Sequence, residues 1–267
     1  STLRNLQLVV LNVNGAPGQF PLDARNVTKA ADLKPGVFEL FANGYRNPYD
    51  FMWHSNGQLY ANVNAGNFTA GNTPGPAEGC NTPSIDPGTR PDYLVRVEAG
   101  DFGGNPNPAH PNQCVLDDGT VYNPPLAQPN PNYHPEKRLL YYKAGVSTNG
   151  MAEYSAPTFG GQMLGNIISA TYAGNQAVRR VVLADDGKSV QFEEDLGIFN
   201  QPLDVAVGSD GAIYVAEYGG NSIQVMEPTP DLKETGIWNT QTPLPVATQE
   251  LGSVACEGKV YAIGGIV

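Results

Sequence analysis

The chain repeats itself. Asn47 to Asn67, NPYDFMWHSNGQLYANVNAGN, aligns without a gap on Gln201 to Asn221, QPLDVAVGSDGAIYVAEYGGN. Seven positions are identical: Pro48/Pro202, Asp50/Asp204, Ser55/Ser209, Gly57/Gly211, Tyr60/Tyr214, Gly66/Gly220 and Asn67/Asn221. Gly165 to Asn175, GNIISATYAGN, is a third copy of the second half, and a weaker fourth begins at Gly258, GKVYAIGG. Gly165, Gly211 and Gly258 lie 46 and then 47 residues apart. A pitch of roughly 40–50 residues is that of a β-propeller blade, and the solenoid repeats of similar length are helical, which these segments are not. Asp204 to Val207 reads as a strand, Ser209-Asp210-Gly211 as a tight turn, and Ala212 to Ala216 as the returning strand. Gly219-Gly220-Asn221 turns again into a third strand, Ser222 to Met226. One such sheet cannot bury both faces alone, so neighbours must stack. The expected fold is therefore all-β: a β-propeller of antiparallel four-stranded blades, with Gly57, Gly165 and Gly211 at equivalent turns and Tyr60 equivalent to Tyr214.

Composition agrees with many short strands joined by turns. Of 267 residues, 31 are Gly and 23 Pro, hydrophobic residues make up 40% and charged residues only 15%. The net charge of -11 and the lack of any basic run exclude a nucleic-acid binder. An acidic balance suits an extracellular protein that holds cations, and solubility alone accounts for it equally well. No run of 18 apolar residues could span a membrane. The chain starts at Ser1 without an initiator Met or signal peptide, and Leu6 to Leu11 is already strand-like, so an internal cut or a processed end is expected. Cys80 and Cys114 flank a Pro/Asn/Gly-rich stretch. A disulfide there would stabilise it by roughly 2–4 kcal/mol; the alternative is two reduced thiols in loops. Cys256 reads as a small apolar strand residue.

Between the first and third copies, about Phe68 to Ser155, runs a long interruption rich in Pro, Asn and Gly, with one embedded strand, Asp92 to Glu98. A loop this long either lines a site or decorates the surface. A short helix over Ala24 to Leu33 is possible on the residues present. Residues 1–228 read as one propeller domain, 229–245 as a linker, and 246–267 as the start of a new blade that breaks off.

Three segments resemble the glucose/sorbosone dehydrogenase family, whose members oxidise sugars with pyrroloquinoline quinone (PQQ) on a six-bladed propeller. They are Asn43-Gly44-Tyr45-Arg46-Asn47-Pro48 with the following His54 to Tyr60; Asp92 to Pro106; and Asn200 to Val205 with Gly208 to Val215. The tail, Gly252 to Gly265, resembles the opening of a Kelch repeat. The first resemblance implies a PQQ and calcium site. Arg46, Asn47 and Gln201 fall at cofactor-contacting positions, and Asn64, Ala65, Gly66 and Phe102 at the metal turn, where the family uses backbone carbonyls. It also implies a sugar or glycan partner and a secreted, extracellular or periplasmic location.

The departures from that pattern bear on activity. A buried anionic quinone needs charge-assisted partners. Here Gln201 replaces an Arg, Leu203 stands where active members often carry a second, and Tyr172-Ala173 replaces a Leu-Lys turn. The family's catalytic His belongs to a blade upstream of Ser1, so this chain is expected to hold no catalytic residue. His54 reads as a rim residue, His110 and His134 as solvated, and no zinc spacing, nucleophile elbow, Walker or dinucleotide fingerprint occurs. Two functions follow: an inactive segment of a sugar-dehydrogenase-like propeller in a secreted multidomain protein, or a non-catalytic carbohydrate- or protein-binding module. A lactonase-type metal hydrolase ranks behind both.

Overall fold

The computed structural model describes residues 6–11, 38–65, 91–103, 114–115, 121–123, 128–129, 132–228, 237–240, 249–256 and 259–266. Among them there is no α-helix, only strands and two 3-10 turns, Pro135–Lys137 and Phe159–Gly161. The strands are β1 (Leu6–Leu11), β2 (Phe38–Tyr45), β3 (Pro48–Trp53), β4 (Leu59–Val63), β5 (Pro91–Val97), β6 (Cys114–Val115), β7 (Val121–Asn123), β8 (Gln128–Pro129), β9 (Arg138–Ala144) and β10 (Thr148–Glu153). They continue with β11 (Ile167–Thr171), β12 (Ala177–Leu183), β13 (Val190–Ile198), β14 (Pro202–Val207), β15 (Ile213–Glu217), β16 (Ser222–Glu227), β17 (Ile237–Thr240), β18 (Gln249–Cys256) and β19 (Lys259–Ile266).

Two compact units result. The first comprises Ser1–Asn47, Ala65–Arg90 and Val97–Lys137, and holds the β1-β2 pair and the small β6-β7-β8 sheet. Within it Phe102 bridges Asn43 and Tyr133, and the Lys137 ammonium, largely buried, lies 2.7 Å from both Glu98 and Asp101. The second unit, Pro48–Asn64, Pro91–Arg96 and Arg138–Val267, holds three four-stranded antiparallel blades, β3-β4-β5-β9, β10-β11-β12-β13 and β14-β15-β16-β17, and the hairpin β18-β19. The chain is thus built of propeller blades, as its repeat requires.

The repeat is visible in the hydrogen bonding. In each blade the residue just after the first hairpin strand donates to the residue just before the next: His54 N to Gln58 O (2.9 Å), Tyr154 N to Asn166 O (2.8 Å) and Gly208 N to Ala212 O (2.8 Å). Gly57, Gly165 and Gly211 close those turns at φ of +80°, +74° and +82°, in the left-handed region where L side chains are strained. Tyr60 and Tyr214 are each the second residue of their strand.

The blades stack through apolar faces. Tyr60, Leu94, Tyr142, Met151, Ile167 and Val181 fill the space between the first and second. Tyr154, Ile168, Val178, Val205, Ile213 and Val215 fill that between the second and third. Ile167, Ile168 and Ile213 are fully buried, each worth about 1.5–3 kcal/mol relative to exposure. The outer strand β13 is mostly exposed and carries three consecutive acids at its centre. Glu193, Glu194 and Asp195 pair with Arg179 and Arg180 of β12 at 2.7–3.0 Å, charge that keeps an edge from recruiting further strands.

The structure corrects the reading of the interruption. It contains β9 and β10 besides β5, so the fourth strand of the first blade and the first of the second both lie inside it. Likewise β17, paired with β16, falls in the stretch read as a linker. The possible helix at 24–33 and Cys80 lie outside the described residues; Cys114 begins β6.

Candidate functional site

In the second unit the leading strands β3, β10, β14 and β18 lie side by side. Successive leading strands are tied by carboxylates. Asp50 of β3 accepts from Met151 N of β10 at 2.8 Å, and Asp204 of β14 accepts from the backbone and hydroxyl of Ser253 in β18. The intervening strand has Gly150 at the equivalent place. A Cβ there would lie 1.8 Å from Asp204 Oδ1, so only glycine admits that carboxylate. Burial, then the Asp50 charge, pushes the Asp204 pKa up to about 7, against the pull of the Ser253 and Val205 hydrogen bonds. Burial also raises Asp50.

The starts of β10 and β14 are each latched to a turn of their own blade. Tyr172 N and Ala173 N donate to Ser147 O and Val146 O (2.9 and 2.7 Å); Tyr218 N and Gly219 N donate to Gln201 O and Asn200 O (3.0 and 3.1 Å). Five non-glycine residues among those described have left-handed backbones, and four of them sit here: Ser147, Gln176, Gln201 and Asn221, at φ of 52°, 49°, 55° and 48°. Such strain costs about 1–3 kcal/mol per residue and gathers where a surface must be held in one shape. The Tyr172 and Tyr218 rings, half-buried on neighbouring blades, meet with centroids 6.2 Å apart and planes at 46°.

The positions singled out from sequence are placed as follows. Arg46 and Asn47, half-buried, immediately precede β3, and Gln201 immediately precedes β14. Gln201 Oε1 folds over its own blade's turn, 2.8 Å from where a Cβ on Gly219 would stand. Asn64 follows β4 and is buried in the second unit, whereas Ala65 and Phe102, both buried, belong to the first; Gly66 lies outside the described residues. Phe102 N donates to Asn132 O (2.9 Å), and its ring closes over Gly44. Among the described residues no three His, Cys, Asp or Glu side chains converge as a metal site.

The quinone does not fit the second unit's share of this site. Leu203 is buried and Ala173 sits in a turn, so neither they nor Gln201 supplies a cation, while the leading strands present Asp50 and Asp204. An anionic ligand would gain no charge-assisted partner from these positions.

His54 departs from its reading as a rim residue. It is buried, and its Nε2 donates to Gly165 O of the next blade at 2.8 Å while Nδ1 accepts from Asn56 N at 3.1 Å. Those two bonds fix a neutral tautomer and make His54 a staple between blades. His134 pairs with Glu136 at 2.9 Å; His110 lies outside the described residues. The acid pair and the tyrosine pair were not singled out from sequence. The signal was present in the repeat, where Asp50 matches Asp204 and Tyr172 matches Tyr218.

An NHL repeat family model matches residues 199–226, which takes in β14, β15 and most of β16. No curated protein matches the chain. Among solved structures, the chain is similar to a glucose dehydrogenase at 19% identity and a TM-score of 0.47, covering 89% of this chain and 55% of that one. It is similar to a gluconolactonase from Xanthomonas campestris at 13% identity and a TM-score of 0.46, covering 86% and 60%. The PQQ-bound aldose sugar dehydrogenase from Streptomyces coelicolor matches at 10% identity and a TM-score of 0.38, covering 86% and 60%. The chain thus spans a little over half the length of these proteins.

Proposed function

We propose that this chain is part of a secreted, sugar-dehydrogenase-like propeller that acts by binding a sugar or glycan rather than by oxidising it. The observation that carries this is the absence of cations at Gln201, Leu203 and Ala173, beside leading strands bearing Asp50 and Asp204. Each missing charge-assisted contact is worth about 1.5–3 kcal/mol, so losing two weakens an anionic quinone by roughly two to four orders of magnitude. Arg46 and Asn47 retain the family's pair but do not replace what is missing. The β18-β19 hairpin is proposed as the opening of a Kelch-type blade.

The test is a dye-linked glucose oxidation assay on the chain reconstituted with PQQ and calcium. No turnover above background is expected. Turnover that disappears in Arg46→Ala would overturn the proposal in favour of a quinone-dependent dehydrogenase. Calcium belongs to the proposal only as a ligand of main-chain carbonyls, as the family resemblance implies. Millimolar calcium should raise the thermal midpoint, and an unchanged midpoint removes it.

A further inference from the structure

The turns carrying Tyr172 and Tyr218 have what a neutral, polyhydroxylated ring requires. They occupy equivalent places on adjacent blades, so stacking brings the two aromatic faces together without any long-range loop. Aromatic faces accept the C–H surface of a sugar, and the phenol gives each a polar tip. Beside them, Asn200 Oδ1 and Gln201 Oε1 converge over Gly219, where a Cβ would lie 2.2 and 2.8 Å from them. Primary amides both donate to and accept from hydroxyls. The left-handed backbones of Ser147, Gln176, Gln201 and Asn221 fix this end of the blades in one shape, which lowers the ordering cost of binding.

Charge argues for a neutral ligand. The two arginines of β12, Arg179 and Arg180, are held by Glu193, Asp195 and Glu194 of β13. Further along the leading strands the ionisable groups are the buried carboxyls of Asp50 and Asp204, and neither is a cation. The two turns themselves, residues 171–176 and 217–222, carry no Lys or Arg, so a phosphate or carboxylate gains no charge-assisted contact from them.

We infer that Tyr172 and Tyr218, with the amides of Asn200 and Gln201, form a docking platform for a neutral sugar unit of an oligosaccharide. This deepens the binding reading above and rests on it. In the full chain, calorimetric titration with cellotetraose and with maltotetraose should show saturable binding of at least one, at about millimolar Kd. Tyr172→Ala and Tyr218→Ala should each weaken it about tenfold, while Tyr172→Phe and Tyr218→Phe stay within about threefold. Gly219→Ala should push the two amides aside and weaken binding about fivefold.

Urea midpoints identify any variant that fails to fold. Should the alanine variants unfold, Gly219→Ala and the phenylalanine variants decide. Undiminished binding in the folded Tyr→Ala or Gly219→Ala variants would overturn the platform while leaving a binding module. Failure of both oligosaccharides to bind the unaltered chain would overturn the platform too. The quinone assay judges the non-catalytic reading separately.

Discussion

Gly150 occupies in β10 the place that Asp50 holds in β3 and Asp204 in β14. Three carboxylates in a row would be crowded and mutually repelling; the glycine leaves two, and gives the Asp204 carboxylate its room. Gly150→Ala would place a methyl 1.8 Å from Asp204 Oδ1 and 2.6 Å from its Cα, so backbone as well as side chain must move. A loss of about 1–3 kcal/mol or more is expected from overpacking, read as a lower urea midpoint. The pair also makes stability depend on pH. Asp204 sits at about 7 when folded, above the roughly 3.9 of an unfolded aspartate, so the folded state holds the extra proton. Its contribution is therefore greatest below the unfolded value and is lost as pH rises through about 7, by up to about 1.4 kcal/mol per pH unit. Asp50, also raised, has the same sign. The other acids on packed strands are engaged elsewhere: Glu153 of β10 accepts from Ser55 N, and Glu217 of β15 from Ser222 and Gln224. The urea midpoint should be higher at pH 5 than at pH 8, and Asp204→Asn should flatten that slope. An unchanged slope in Asp204→Asn would assign the dependence to other groups.

Strands here are specified partly by their own residues and partly by their neighbours. Asn62 of β4 shows the second kind. Its buried amide donates to Asn149 O of β10 (2.9 Å) and Ser169 Oγ of β11 (2.8 Å), and its oxygen accepts from Tyr142 of β9 (3.2 Å). Asn62→Ala removes a junction between two blades, leaving Asn149 O without this donor while Tyr142 and Ser169 keep their mutual hydrogen bond (3.2 Å), and should cost about 1–3 kcal/mol, whereas an exposed Asn56→Ala should cost less than about 1 kcal/mol. Comparable urea midpoints for the two variants would show that water or repacking satisfies the network. The same dependence explains which elements were legible in the sequence. β14, β15 and β16 alternate apolar residues around an Asp-Gly turn, so they could be read directly. β10, TNGMAE, has neither alternation nor β-branched bulk beyond Thr148. It is a strand because Asp92, Asp50 and Asn62, distant in sequence, bond Thr148 N, Met151 N and Asn149 O. The candidate site divides the same way. The equivalence of Asp50 with Asp204 and of Tyr172 with Tyr218 is written in the repeat, but their proximity exists only once blades stack. Arg46, Asn47 and Gln201 could be placed at strand starts from sequence; the folding of Gln201 back over Gly219 could not, because it depends on a left-handed backbone at a residue other than glycine.

At the scale of the molecule, the chain leaves the second unit and returns to it within a single blade. β5 and β9 are antiparallel neighbours, with Val95 opposite Arg138, yet residues 98–137 between them belong to the first unit. A connection that begins and ends at adjacent strand ends is one the blade itself does not require. Among the described residues, the apolar clusters between the blades and the tyrosine pair draw on the second unit's own residues. Replacing Glu98–Lys137 with a five-residue Gly-containing loop should therefore leave the three blades folded. Shortening the connection from 40 residues to five lowers the closure entropy by about 2 kcal/mol, so the second unit's midpoint should hold or rise. The Lys137 ion pairs lost with the segment join only residues of the first unit. Far-ultraviolet circular dichroism during urea unfolding reads the strands, and oligosaccharide titration reads the platform. A cooperative transition with unaltered sugar affinity is the expected result. A shortened chain that loses its strands would show that the first unit is integral to the blades, and that the long segment is part of the fold's core rather than a decoration upon it.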